Sequence, residues 1–301
     1  VIEGMLAGIG IIIILKQLPH AFGYDNDFEG DQAFSQTDGS NTFSALFNIF
    51  DYIQIGSIVI TLVSMAILIS WDKVPFLKKL KLVPGALIAV ALGVILNEIF
   101  IGTGSALAIG KEHLVSLPVP SSFEEFKSII VTPNLSGVTN PKVWVVAFTI
   151  AIVASIETLL SIEASDRMDV QKRYTDTNKE LKAQGIGNMV SSLLGGLPLT
   201  SVIVRSSANS NSGAKSKMST IIHGFLLLIS VLAIPVILNK IPLATLAAIL
   251  ILVGYKLAKP ATFKHFWEKG KYQFVPFIAT LLAVVFLDLL KGVALGIMIS
   301  I

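Results

Sequence analysis

Glu157 is a carboxylate in the middle of an apolar stretch, VWVVAFTIAIVASIETLLSIEASD, in which every residue from Val145 to Ile156 is uncharged. An ionised side chain at the bilayer centre costs about 2.5–3.5 kcal/mol on insertion scales, so such residues face a cavity or a partner. Ser161 follows four residues on, which in a helix is the same face. A carboxylate and a hydroxyl so placed suit a hard cation such as Na⁺, or a proton held on the acid. The competing reading is a structural hydrogen bond, or an ion pair with Arg205. Glu163 and Asp166 lie nearer the helix end and are assigned to the interface.

Arg205 is the second candidate. It stands in PLTSVIVRSSANSNSG, after Gly195, Gly196 and Pro198. Proline suits a first helical turn, and Thr200 or Ser201 suits the cap, so a helix is predicted to start here. Its first turn leaves free N–H groups and a positive dipole end, which bind anions without any side chain. Arg205 adds a full positive charge nearby. Its competing readings are a counter-ion for Glu157 or a snorkelling arginine. Residues 200–211 are too few to cross a bilayer, so the segment is predicted as a half-helix near the midplane, preceded by an extended strand at about 197–199. Discontinuous helices of this kind hold the substrate in secondary transporters. Gly185, Gly187, Gly195 and Gly196, with Ser191 and Ser192, read as residues that let helices approach closely.

The elements that position these residues are membrane spans. The chain has 301 residues, 53% hydrophobic and only 14% charged, with a mean hydropathy of +0.76. A soluble domain carries about 25% charged residues. The fold class is therefore an all-α polytopic membrane protein. Apolar runs predict spans over 5–18, 52–71, 82–100, 141–165, 180–197, 220–238, 243–257, 274–290 and 292–301. PVPSSFEEF, in the loop after the third, reads as a turn with Ser121 or Ser122 capping a short helix. TFKHFWEKGKY reads as amphipathic and interfacial. Lys73, Lys78, Lys79, Lys81, Arg167, Lys172, Arg173, Lys179 and Lys182 fall on one side, with the lysines of 256–271, which marks it as cytoplasmic. The count closes only if 200–211 acts as a crossing segment.

Several classes are excluded. No P-loop, Rossmann glycine pattern or HExxH motif appears, so no enzymatic domain is expected. No basic patch is interleaved with aromatics, so nucleic acid is not a partner. Cysteine is absent, which removes disulfides and thiolate metal sites. His20, His113, His223 and His265 are scattered without ligand spacing and are read as structural or interfacial. No cofactor is expected beyond Na⁺ as a possible coupling ion. The chain opens on Val1 inside apolar sequence and ends inside KGVALGIMISI, so it is expected to be a fragment.

SIETLL, NKELKAQGIGNMVSSLLGGLP and TSVIVRSSANSNSGAKSKMSTIIHG together resemble the sulfate permease family of inorganic-anion and carboxylate transporters. A weaker likeness runs over the whole chain, including LKQLPHAFG and PSSFEEF. The resemblance implies fourteen spans in two inverted repeats of seven, in which a core domain moves against a gate domain. On that scheme the chain covers about spans 5–14: residues 1–101 as gate spans 5–7, 102–141 as an extracytoplasmic linker, 142–240 as core spans 8–11, and 241–301 as gate spans 12–14. Spans 1–4 and the cytoplasmic STAS domain would lie outside it. The family's anion site sits between the half-helices of spans 3 and 10. By resemblance the second supplies Leu199, Thr200, Ser201 and Val202, with Arg205 on the next turn. In the sodium-coupled bicarbonate branch an acid and a hydroxyl on span 8 hold Na⁺, and Glu157 and Ser161 match them. The acid here is Glu, and Leu199-Thr200-Ser201 replaces smaller residues of that branch, so proton coupling stands beside Na⁺ coupling.

The expected function is a secondary active transporter of sulfate, bicarbonate or a dicarboxylate, working by alternating access in the cell membrane. The full-length protein is expected to be a homodimer. The rivals are an anion channel or exchanger without cation coupling, against which Glu157 argues, and a nucleobase transporter of like architecture, against which Arg205 argues.

Overall fold

The computed structural model describes residues 1–25, 41–49, 52–74, 84–119, 124–125, 131–169, 171–202, 205–206, 209–210, 213–287 and 289–300. They are largely helical, and no β-sheet forms among them. In chain order the helices are α1 (Ile2–Phe22), α2 (Thr42–Asn48), α3 (Ile55–Lys73), α4 (Gly85–Gly102), α5 (Pro141–Met168), α6 (Thr177–Leu193), α7 (Met218–Ala233), α8 (Pro235–Leu238), α9 (Leu243–Leu257), α10 (Pro260–Glu268), α11 (Lys271–Phe286) and α12 (Leu289–Ser300). Among the described residues, four helical stretches are long and apolar enough to cross a membrane: Glu3–Phe22, Gly85–Gly102, Pro141–Glu163 and Leu243–Glu268. The Ser121 and Ser122 cap falls outside the described residues, as do parts of the predicted half-helix.

The chain separates into two compact units, Val1–Leu117 with Val236–Ile301, and Pro118–Pro235. The first unit is built on α1, which packs against α9, α11 and α3. Glycines set the spacing. A Cβ on Gly10 would lie 2.6 Å from the Gly254 carbonyl oxygen, and one on Gly254 would lie 2.6 Å from the Gly10 carbonyl oxygen. Close approach of this kind is how membrane helices gain packing energy where apolar burial gains little. Buried hydroxyls add cross-links. Thr61 Oγ1 lies 3.1 Å from the Ala21 carbonyl and 3.2 Å from that of Ala244. Its single proton is shared between them. Asn97 Oδ1 accepts the Ile109 N–H at 2.9 Å.

The second unit holds α5, α6 and α7. Asn140 caps α5 by accepting the Lys142 N–H, with Pro141 at the first turn, so the predicted start at Pro141 holds. Asp176 caps α6 in the same way through Lys179 N–H. Three predicted spans end early. The span predicted over 180–197 stops at Leu193, because Gly195 turns left-handed at φ 78°. Gly196 N–H bonds the Ser191 carbonyl at 2.8 Å, and Gly195 N–H bonds that of Ser192 at 3.1 Å. This pair of bonds is a Schellman cap. Gly195 and Gly196 therefore end a helix, and Gly195 also lies against the Val131 backbone, whose carbonyl oxygen a built Cβ would meet at 2.4 Å, while Gly185 and Gly187 have no other atoms within 4 Å of a built Cβ. The span predicted over 220–238 breaks at Ile234, since Pro235 starts α8 and disfavours helix in the residue before it. The span predicted over 274–290 is α11, which ends at Phe286 with Leu287 out of helical geometry.

Candidate functional site

The candidate residues meet where α5, α6 and the chain after α6 come together within the second unit. Residues 196–202 carry no helix, and Ser206 N–H then bonds the Val202 carbonyl at 3.1 Å, the first helical bond of the next segment. Arg205, Ser206, Asn209 and Ser210 are helical. No continuous helix runs from α6 into this segment.

Side chains, rather than a neighbouring strand, satisfy the extended stretch. Leu199 N–H donates to Asn188 Oδ1 at 2.6 Å, and its carbonyl accepts from Asn188 Nδ2 at 3.0 Å and Gln184 Nε2 at 3.2 Å. Ser191 Oγ donates to the Leu197 carbonyl at 3.0 Å. From the other side, Ser161 Oγ donates to the Ser201 carbonyl at 3.0 Å. Thr158 is fully buried. Its hydroxyl donates to Gln184 Oε1, accepts the Ser201 N–H at 3.3 Å and meets the Thr200 hydroxyl at 3.0 Å. Since the Thr158 proton goes to Gln184, Thr200 is the donor in that last contact.

Thr200 Oγ1 also lies 3.3 Å from the Ala154 carbonyl, beside the Glu157 carboxylate. A hydroxyl has one proton to give, so Thr200 serves one of its acceptors at a time. Glu157 is half-buried, and Ser161 is buried one turn on. The structure thus brings Glu157, Ser161, Thr200 and Ser201 together. Leu199 and Val202 are exposed at their side chains, and so is Arg205. Among the described residues no ion pair joins Arg205 to Glu157, so the counter-ion reading of Arg205 is set aside.

Sequence reasoning missed Thr158, Gln184 and Asn188. Thr158 sits in SIETLL, and Gln184 and Asn188 are one turn apart in AQGIGN, a spacing that puts two amides on one helix face. That pair of amides on one face of a helix of moderate polarity was the available signal. Gln184 and Asn188 line a groove of about 490 Å³, whose wall is otherwise mainly apolar residues of α5 and α6 with Pro198. Two of the histidines, read from sequence as structural or interfacial, have structural partners. His20 Nδ1 and His113 Nδ1 each lie 2.5 Å from one oxygen of buried Asp25 in the first unit, so two of the four share a partner. Among the described residues no cluster of His, Cys, Asp and Glu is arranged to hold a metal ion.

A helix broken at a polar extended stretch, beside an acid inside a span, defines a membrane protein of the discontinuous-helix transporter class. The chain belongs to the sulfate permease family, whose model matches residues 1–280. It is 28% identical over its full length to YvdB of Bacillus subtilis (strain 168), covering 53% of that protein. It is also 28% identical over its full length to the bicarbonate transporter BicA of Picosynechococcus sp., covering 49%. The chain thus spans about half the length of the curated relatives it matches. Among solved structures it shares the fold of the transmembrane domain of a cyanobacterial BicA, with a TM-score of 0.72 at 24% identity over 97% of this chain and 68% of that one. It also shares the fold of SLC26A9, at TM-score 0.72 and 20% identity over 99% of this chain and 45% of that one. Its relatives are transporters rather than enzymes.

Proposed function

We propose that the full-length protein is a secondary active transporter of a small inorganic anion or carboxylate, such as sulfate, bicarbonate or a dicarboxylate. The observation that carries this reading is the hydrogen-bond chain from Thr200 through Thr158 to Ser201, closed by Ser161 at the Ser201 carbonyl and lying beside Glu157. It links an acid able to take a cation to the start of the segment where an anion binds. Thr158 engages the Ser201 N–H, so the anion's backbone donors begin at Val202, with the Arg205 charge one turn on. Leu199, Thr200 and Ser201 shape the approach. Glu157 and Ser161 hold the coupling ion, Na⁺ or H⁺, and no other cofactor is needed.

Residues 142–240 serve as the moving core and residues 1–101 with 241–301 as the gate, in a homodimer in the cell membrane. The test is uptake of sulfate, bicarbonate and a dicarboxylate by proteoliposomes holding the full-length protein, under imposed Na⁺ or H⁺ gradients. Uptake driven by one of those gradients is the expected result. Conductance without counter-flux or gradient dependence would replace the transporter by a channel.

A further inference from the structure

The turn between α5 and α6 holds a cluster that the transport reading leaves unused. Asp169, just past α5, accepts three bonds from Arg173: the backbone N–H at 3.0 Å and Nε at 2.8 Å on Oδ2, and Nη2 at 2.9 Å on Oδ1. One turn earlier, Asp166 accepts the Thr175 N–H at 2.8 Å and its hydroxyl at 2.6 Å. Between them Lys172 lies at φ 55°, a left-handed conformation that non-glycine residues rarely adopt. Such backbone persists only where surrounding bonds over-determine it. Here the Asp169 carbonyl takes the Lys172 N–H at 3.0 Å.

The Arg173 fork has one arm left over. Nη1 donates to the Lys215 carbonyl at 3.2 Å. Lys215 belongs to the turn that joins the Arg205 segment to α7. That turn is closed by Ala214 N–H on the Asn209 carbonyl at 3.2 Å, and by Asn209 Nδ2 on Ser219 Oγ at 3.0 Å. The chain from 200 to 217 is therefore held from the α5 side at two places. Thr158 and Ser161 hold its start, and Asp169 through Arg173 holds its far end.

We propose that Arg173 is a positioning residue. It fixes the far end of the Arg205 segment to the helix that carries Glu157, so that the cation site and the anion site move as one body. The proposal rests on the transport reading. Only a planar, three-armed cation makes these bonds at once, because a lysine is a point charge that satisfies one partner at a time.

The test uses R173A, R173K and D169N in the full-length protein, with amide hydrogen exchange and sulfate and bicarbonate uptake read on each. R173A is expected to raise exchange over 205–217 while leaving α1 and α9 unchanged. It is expected to raise the anion KM by about two- to fivefold, the scale of an exposed charged contact, and to flatten the dependence of KM on Na⁺ or pH. R173K is expected to behave like R173A, and D169N to fall between R173A and the unaltered protein. Unchanged exchange over 205–217 in R173A overturns the proposal, as does raised exchange spread through all of 118–235, which marks Arg173 as general support. If the unaltered protein carries neither anion, the transport reading fails. Exchange confined to 205–217 then still upholds the strut.

Discussion

Asn188 holds both backbone polar groups of Leu199, accepting its N–H on Oδ1 at 2.6 Å and donating Nδ2 to its carbonyl at 3.0 Å. One side chain from α6 thus makes the two bonds that a neighbouring strand residue makes in a ladder. Each bond contributes roughly 0.5–1.5 kcal/mol net. Asn188→Ala removes both and is expected to raise the anion KM by about three- to tenfold, with one decade per 1.4 kcal/mol. Asn188→Asp keeps the acceptor and is expected to lose less. Equal uptake kinetics in the two variants and the unaltered protein would remove Asn188 from the site.

Glu157→Gln keeps volume and hydrogen-bonding groups but not charge. Among the described residues no arginine is paired with Glu157, so the change strands no ion there. Insertion and folding are expected to survive, and gradient-driven uptake to vanish. Uptake at the unaltered rate would end the coupling role.

Arg205→Ala should raise the anion KM by about tenfold or more, because a charge-assisted hydrogen bond contributes roughly 1.5–3 kcal/mol. Arg205→Lys should recover part of the loss. Since Arg205 and Glu157 form no ion pair, their effects on anion affinity should add to within about 0.5 kcal/mol in the double variant. A double variant much milder than the sum would restore the counter-ion reading.

The Arg173 side chain bonded to Asp169 holds its carboxyl well below the usual carboxylate range. A depressed value means the ionised form is favoured when folded. The pair's contribution is therefore present above about pH 3.9, the ordinary Asp value, and is lost only as pH falls through the lower folded value. Protection of the Arg173 amide, corrected for intrinsic exchange, should stay flat from pH 8 down to about 4.5. A loss of protection near neutral pH would contradict the pairing.

Glu157, Ser161 and the break at Pro198 were legible in the sequence because each violates the apolar pattern of a span. Thr158, Gln184 and Asn188 were not picked out, because an uncharged polar residue in a span is common and only its partners reveal its use. Gly195 and Gly196 were legible as glycines but not by role: a left-handed cap and a packing face ask for the same residue. Asp25 with His20 and His113 lies beyond sequence reading, because the two histidines are brought together by helix packing and not by spacing. The early ends of the spans predicted over 180–197 and 220–238 follow from one cap and one proline that the hydropathy runs concealed.

The contact of Gly10 with Gly254 constrains how this chain can vary. Each added methyl would strike a main-chain oxygen at 2.6 Å, which cannot rotate aside, with Leu257 Cβ at 2.9 Å or Ile14 Cγ1 at 2.8 Å as the next obstacle. Alanine is excluded at both positions for the same reason as leucine. Nor can a loss at one be repaired at the other, which already has nothing to give up. The two positions form a closed pair in which drift at either separates α1 from α9 along their length, so any tolerated change must come from helices that have already moved apart.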